Sequence, residues 1–139
     1  MIPDPDRALV AAVIAALRAA PALTAALGAN LYDDPPATPV APYLLVGRTE
    51  AVPYGGAPPS GAAEATEVVL TLTVVSRFDG AEEARGVAAS VRSILHDAPL
   101  ILDGWRLVNL RVVFVDVCRG ADGRTVLGVV RLRAVVEPL

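Results

Sequence analysis

The feature that most constrains the fold is a pair of long segments near the end of the sequence in which apolar residues alternate. Residues 105–117 and 124–136 both have the two-residue period of a β-strand. The turn Gly120-Ala-Asp-Gly123 between them is typical of a hairpin. We therefore expect two long antiparallel strands that share an apolar face. Its predicted members are Val108, Leu110, Val112, Phe114, Val126, Val130, Leu132 and Val136.

Three earlier segments are predicted to be helices. The first has Asp6 as its expected N-cap, and the second covers residues 21–27 and ends at Gly28. A capping box formed by Asp79 and Glu82 is expected to open the third. Apolar residues recur at three- and four-residue steps in the first and third helices, which predicts one buried stripe on each. These stripes are Leu9, Val10, Val13, Ile14 and Leu17, and then Ala84, Val87, Ala88, Val91 and Leu95.

The remaining segments are two strands and two loops. Residues 43–46 form a short apolar strand that ends at Gly47, and residues 67–77 alternate as a strand does. Residues 30–36 are predicted to be a loop rich in turns. Residues 52–66 contain three prolines and three glycines with few large apolar side chains. We expect that segment to be a flexible loop that becomes ordered against a neighbouring subunit.

The order of these elements predicts the fold class. Hairpin-linked strands with helices on one face make an α+β protein, a two-layer sandwich with a mainly antiparallel sheet. The length of 139 residues fits a single domain covering residues 1–139. Apolar residues make up 54% of the chain, and only 12 basic and 15 acidic residues are available to cover its surface. This surplus of apolar side chains indicates subunit interfaces.

Composition also excludes several classes of function. The net charge of −3 argues against a protein that grips nucleic acid by neutralising phosphates. All basic residues are arginine, which rules out a lysine Schiff base or a Walker-type phosphate loop. One histidine and one cysteine cannot form a Cys/His zinc site, so we expect no metal and no cofactor. The longest strongly apolar stretch, residues 8–17, is too short to span a bilayer, and no membrane partner is expected.

Five side chains have both a functional and a structural interpretation. His96 follows the third helix, where an imidazole interacts favourably with the helix dipole, and catalysis would need a nucleophile and an orienting group beside it. Cys118 lies beside Arg119, whose positive charge is typical of the surroundings of a reactive thiol, but we expect a buried or half-buried strand cysteine. Arg111, Arg131 and Arg133 form either an anion site or a solvated or intersubunit face with acidic partners. No enzymatic constellation emerges.

Several motifs in their order and spacing resemble the phage tail terminator, or tail completion, family. The resemblance covers nearly the whole chain apart from residues 52–66. Its motifs are the helices of residues 7–27, Leu31-Tyr-Asp-Asp-Pro-Pro36, Pro42-Tyr-Leu-Leu-Val-Gly47, Leu70-Thr-Leu-Thr-Val-Val-Ser76, Gly104-Trp-Arg-Leu-Val108, and Asp122-Gly-Arg-Thr125 before Val129-Val-Arg-Leu-Arg-Ala134. The alanine-rich composition, with arginine as its only basic residue, is similar to that of family members in gene transfer agents, which are domesticated phage-like particles.

The resemblance implies a structural role in a virion or phage-like particle. Family members form a hexameric ring that ends a long non-contractile tail tube and joins it to the head-completion (stopper) protein. The implied partners are further copies of the chain, the major tail tube protein and the stopper protein, with DNA passing through the lumen. The implied location is the particle neck, after assembly in the bacterial cytoplasm. The alternative is a small-molecule-binding or enzyme-accessory α+β domain, and neither interpretation gives the chain a catalytic residue.

A ring that conducts DNA should avoid net positive charge in its bore, because arginine–phosphate contacts hold DNA. The candidate bore or rim acids are Asp33, Asp34, Glu50, Glu64 and Glu67. The candidate intersubunit residues are Tyr54, Arg111, Arg131 and Arg133, with the three arginines paired across subunits or turned away from the axis.

Overall fold

A computed structural model describes residues 4–55, 64–77 and 81–139. The described helices are α1 (Pro5–Ala19), α2 (Pro21–Leu27) and α3 (Glu82–Leu95). The described strands are β1 (Leu31–Tyr32), β2 (Tyr43–Tyr54), β3 (Ala65–Ser76), β4 (Trp105–Arg119) and β5 (Val126–Pro138).

The five described strands form one sheet in the order β1-β2-β3-β5-β4. The β1–β2 pair is parallel, and every other pair is antiparallel. The chain is therefore an α+β protein, as the sequence predicts. None of the helices in the described ranges is by itself long and apolar enough to cross a membrane. Only α1 and α2 together have that length and composition, and the pair is bent by 82°.

The core lies between the helices and one face of the sheet. The central strands β3 and β5 contribute Leu70, Leu72 and Leu132, which are fully buried. Leu9 of α1 and Val91 of α3 are buried in the same apolar cluster. Burying a side chain of this size stabilises the fold by about 1.5–3 kcal/mol. The helices therefore fix which face of the sheet is covered, and the opposite face is left without a helical layer in the described part of the chain.

The starts of α1 and α3 differ from the sequence prediction. The N-cap of α1 is Asp4, followed by Pro5 at the first helical position, whereas Asp6 lies in the first turn. Proline is favoured at that position because it has no N–H to satisfy and its φ is already helical. The N-cap of α3 is Ala81. The predicted cap Asp79 lies outside the described residues.

The predicted loop of residues 52–66 is wrong at both ends. The strand expected to stop at Gly47 continues through a β-bulge between Val46 and Thr49 to Tyr54. Tyr54 pairs with Ala65 across the hairpin. Paired backbone therefore replaces loop at residues 52–54 and 65–66, and residues 56–63 lie outside the described residues. The predicted loop at residues 30–36 likewise contains the short strand β1.

The alternation of β5 is confirmed, whereas that of β4 is interrupted. Val126, Val130, Leu132 and Val136 are all buried. The edge strand β4 has register shifts between Leu107 and Asn109 and between Val112 and Phe114. Each shift changes which face the following side chains occupy. As a result Val108 and Phe114, expected on the apolar face, are 52% and 44% exposed.

The turn between β4 and β5 is organised by Asp122. Its carboxylate accepts hydrogen bonds from the Thr125 N–H at 2.8 Å, the Thr125 hydroxyl at 2.7 Å and the Arg124 N–H at 3.0 Å. These bonds, those from Thr125 first, lower the pKa of Asp122 to about 2. Gly123 adopts a positive φ of 72°, which glycine tolerates without strain. The predicted hairpin turn is therefore confirmed.

We expect Gly47→Ala and Gly86→Ala to change stability in opposite directions. A Cβ at Gly47 would lie 2.9 Å from the Thr71 carbonyl oxygen, so the bulge would have to shift at a cost of about 1–3 kcal/mol. A Cβ at Gly86, exposed on α3, meets nothing within 4 Å, and alanine there should stabilise by about 0.5–1 kcal/mol. Urea denaturation measures both, and equal effects would contradict this description of the bulge.

We also expect the contribution of the Asp122 charge to depend on pH. A carboxyl whose pKa is lowered in the folded state stabilises above its unfolded pKa of 3.8 and loses that contribution as pH falls towards 2. Wild type should melt at a higher temperature than Asp122→Asn at pH 6, and the difference should narrow between pH 4 and pH 2. A difference independent of pH would contradict the role of the charge.

Candidate functional site: the helix-free face and the sheet edges

The helix-free face of the sheet is the face opposite α1 and α3, and it carries Tyr54, Glu67 and Arg133. Arg133 donates a hydrogen bond to Glu67 at 3.0 Å, and its guanidinium lies 5.6 Å from the centre of the Tyr54 ring. The bond to Glu67 raises the pKa of Arg133 above its usual range. Arg133 is thus neutralised and stacked within its own subunit. The sequence analysis had instead predicted that Arg133 pairs across subunits or turns away from the axis.

The other two predicted arginines also have partners within the chain. The Arg131 guanidinium lies 4.9 Å from the centre of the Phe114 ring, a cation–π contact. Arg111 is the register partner of Arg133, but its guanidinium reaches Asp97 at 3.3 Å and the His96 ring at 3.2 Å. The three arginines therefore do not converge on one anion site.

The end of α3 covers part of the free edge of β4. His96 is the C-cap of α3, and its Nδ1 accepts a hydrogen bond from the Val112 N–H at 3.0 Å. The Asp97 N–H donates to the Leu110 carbonyl at 2.8 Å. Because Nδ1 accepts, it carries no proton in this arrangement. His96 thus occupies the structural position predicted for it, and it also seals an edge strand, which the sequence did not indicate.

The five predicted bore acids lie in two regions. Glu67 bonds to Arg133, and Glu50 forms an ion pair with Arg48 at 3.4 Å. Glu50 and Glu67 lie on the helix-free face, because Glu67 and Val69, the register partner of Glu50, alternate along β3 with the buried residues 68 and 70 that face the helices. Half-buried Glu64 directly precedes β3.

Asp33 and Asp34 follow β1 at the sheet edge, and both are exposed. Asp33 lines a concavity with Asp6 and Arg7 of α1, on the helix-covered side. The structure therefore places Asp33 on the face opposite to Glu50 and Glu67.

Two groups of arginines were missed by sequence analysis. Arg77, Arg119 and Arg124 line a concavity of about 750 Å³ around Asp122, where the ends of β3 and β4 meet the hairpin turn. Arg85 and Arg92 of α3 line another one. In the first group, Arg77 is distant in sequence from Arg119 and Arg124, and the strand order brings it beside them. The helical spacing of Arg85 and Arg92 does not by itself indicate that they flank a sheet edge.

The second arginine concavity lies between α3 and the last part of β4. Arg85, Ala88, Ala89 and Arg92 form its helix wall, and Val115 and Val117 form its strand wall. Cys118, on the same strand, is exposed, so the prediction of a buried or half-buried cysteine is wrong. The physical reason is that β4 is the edge strand of the sheet: it has β5 as its neighbour on one side and no neighbouring strand on the other within the described residues.

Among residues 4–55, 64–77 and 81–139, no three His, Cys, Asp or Glu side chains are grouped as metal ligands would be. The geometry within that part of the chain consists of surfaces, edges and shallow concavities. Its notable features are an apolar strand edge, paired charges on the helix-free face and unpaired arginines on α3.

Comparison with known proteins agrees with this description. Residues 11–137 match the family described as "Tail completion protein gp17". A similar solved structure is a chain of the "Virion of native gene transfer agent (GTA) particle", with a TM-score of 0.85 and 28% sequence identity. The similarity covers 95% of this chain and 96% of that chain. No curated protein matches the sequence.

The family match spans most of the chain, and the structural match extends over nearly all of both proteins. The chain therefore belongs to the tail completion protein family and is a structural protein of a phage-like tail.

Proposed function

We propose that the chain forms a hexameric ring at the head-proximal end of a tail tube. There it stops growth of the tube, joins it to a head-completion (stopper) protein and leaves a passage for DNA. The observation that carries this proposal is the likeness, over 95% of the chain, to a chain of a gene transfer agent virion. The ring is proposed to contact the major tail tube protein and, after assembly in the bacterial cytoplasm, to reside in the particle neck.

The exposed apolar side chains support an assembling subunit. Val108, Val113, Phe114 and Val115 of β4 are between 43% and 52% exposed, and so are Val52 and Tyr54 of β2. Apolar residues concentrated along strands at an edge and a hairpin end are typical of surfaces that are covered in an assembly. We propose that Tyr54, Arg111, Arg131 and Arg133 lie near such contacts.

The charge distribution suits a bore lined by the helix-free face. Arg133 is neutralised by Glu67, and Arg106 by Glu137, within the subunit. Glu50 lies on the same face. We propose that Glu50, Glu64 and Glu67 lie at the bore or its rim, with Asp33 and Asp34 at the rim. DNA sliding past this face would meet little unpaired positive charge, which is the condition for passage without retention.

The proposed role in tube termination is tested by removing the gene from a producing strain. Electron microscopy of the lysate should show tubes of irregular and excessive length, together with heads that lack tails. Complementation with the wild-type gene or with Gly86→Ala should restore joined particles. Normal particles in the absence of this chain would contradict the proposal and would leave the small-molecule-binding alternative.

The bore is tested by reversing one charge. Glu50→Arg should lower marker-gene transfer per particle by roughly tenfold, because repeated arginines around the bore would hold phosphates. The matched control is Asp103→Arg, which makes the same charge change at an exposed position outside the sheet. Particle numbers should be unchanged in both variants. Equal marker-gene transfer by the two variants would contradict the placement of Glu50 at the bore.

A further inference from the structure

The two edges of the sheet are unequal. At one edge, β4 is 15 residues long and pairs only with β5. At the other edge, β1 has two residues and pairs only with β2. The Leu31 N–H donates to the Ala29 carbonyl at 2.9 Å and the Leu31 carbonyl accepts from Arg18 at 3.5 Å, so the next backbone groups available along this edge are those of Asp33. A strand edge with free N–H and C=O groups is a template for pairing with another chain. Unlike edges of this kind permit head-to-tail contacts between copies.

Part of the β4 edge is already covered by its own chain. His96 accepts from the Val112 N–H, and the Asp97 N–H donates to the Leu110 carbonyl. Leu102 forms an isolated bridge to Trp105 nearer the start of the strand. Within the described part of the chain, these contacts leave residues 113–119 as the open part of the edge. Its first three residues are large, apolar and 43–51% exposed.

The sheet register places β1 at the same level as this open part. One row of paired residues crosses the whole sheet, through Leu31, Leu44, Val74, Gly128 and Val117. The next row begins at Tyr32 and ends at Asp116. Asp33 follows Tyr32 and is therefore level with Val115. A copy rotated about an axis parallel to the strands would bring residues 113–119 against β1 without sliding along the strands.

The strand directions also fit. β1 runs parallel to β2, and three successive antiparallel pairings lead from β2 through β3 and β5 to β4. β1 and β4 therefore run in opposite directions in one subunit, and a rotation about that axis preserves this relation between copies. The contact would be a short antiparallel strand pair centred on Asp33, because the Leu31 N–H and carbonyl already have partners in their own subunit.

The helix-covered sides of the two edges carry opposite charges. Beside β1, the acids Asp6, Asp33 and Asp34 outnumber Arg7 and Arg18, whose guanidinium reaches the Leu31 carbonyl at 3.5 Å. Beside β4, Arg85 and Arg92 flank Val115 and Val117. In residues 4–55, 64–77 and 81–139, no carboxylate lies within ion-pair distance of either of these two guanidinium groups. On this side of the sheet the β1 edge therefore carries an excess of acidic groups, and the β4 edge carries two arginines.

We infer that residues 113–119 of one copy pair antiparallel with β1 of the next copy, with Asp33 and Asp34 facing Arg85 and Arg92. The occupant of the open edge is thus a second copy of this chain. The apolar residues of β4 supply contact area. The opposite charges fix the register between the two strands and disfavour a pairing shifted along them. The inference deepens the proposed ring by assigning its repeating junction, and it rests on that proposal.

Cysteine cross-linking tests the level of the pairing. In a Cys118→Ser background, Asp33→Cys combined with Val115→Cys places two thiols on the same row. The matched control combines Asp33→Cys with Val108→Cys, which uses the same two edges about 18 Å apart along the strand. Oxidation of the row-matched protein should give a ladder of linked subunits on a non-reducing gel. The control pair and each single variant should give none.

Charge exchange tests the electrostatic part. Arg85→Glu with Arg92→Glu should weaken self-association by about tenfold, since each exposed ion pair contributes modestly. Asp33→Arg with Asp34→Arg should do the same. Mixing the two double variants, or combining all four changes in one chain, should restore association in sedimentation velocity. Failure of the combination to restore association would overturn the assignment of these partners.

Both tests are run on the purified chain and on particles from the producing strain. An equal ladder from the control pair, or no ladder from the matched pair in protein that assembles, would overturn the junction. If the proposed function alone fails, the matched ladder will form in purified protein although the chain is absent from particles. A chain that is monomeric at high concentration and in particles contradicts both.

Discussion

The structure depends on burial of one face of the sheet. β3 and β5 have neighbouring strands on both sides and carry Leu70, Leu72, Leu132 and Ala134 against the helices, all fully buried. Once α1 and α3 cover that face, the strand order determines which parts of the sheet remain uncovered. The helix-free face, the long edge at β4 and the short edge at β1 have no further layer of their own within the described residues. These three surfaces are therefore what such a subunit can offer to an assembly.

Charge pairing divides these surfaces into different roles. On the helix-free face, the arginines are paired with carboxylates or stacked on rings, as Arg133 is by Glu67 and Tyr54. On α3, by contrast, Arg85 and Arg92 border an apolar concavity that includes Val115. The helix-free face, where Arg106, Arg111 and Arg133 each pair with a carboxylate and Arg131 lies against Phe114, suits a passage that DNA crosses with little retention. Arginines without such partners beside an open strand suit recognition of a complementary edge.

Sequence periodicity correctly predicted those helices and strands that pack against the core along their whole length. The helical stripes and the alternation of β5 were correct because both reflect continuous contact with the core. In β4, two register shifts change the face of residues such as Phe114, and no local residue pattern marks them. β1 is too short to have a period. The second half of β2 owes its strand structure to pairing with β3, a contact that Pro53 and the glycines and prolines that follow it in the sequence obscure.

The candidate surface residues were harder to predict than the elements. Sequence analysis selected Arg111, Arg131 and Arg133 from the period of the hairpin, but their partners Asp97, Phe114 and Glu67 come from other parts of the fold. Arg85 and Arg92 were not selected, because only the strand order shows that they border the open edge.

The central claim, that this chain closes a ring at the tail end of a phage-like particle, is tested most directly by a cryo-electron microscopy reconstruction of the particle neck. The account predicts a closed six-fold ring of this chain between the tail tube and the stopper protein. In that ring the sheet of each subunit continues into the next through β4 and β1, with the helix-free face towards the axis. Density for this chain away from the neck, or a ring in which β4 faces solvent, would contradict it.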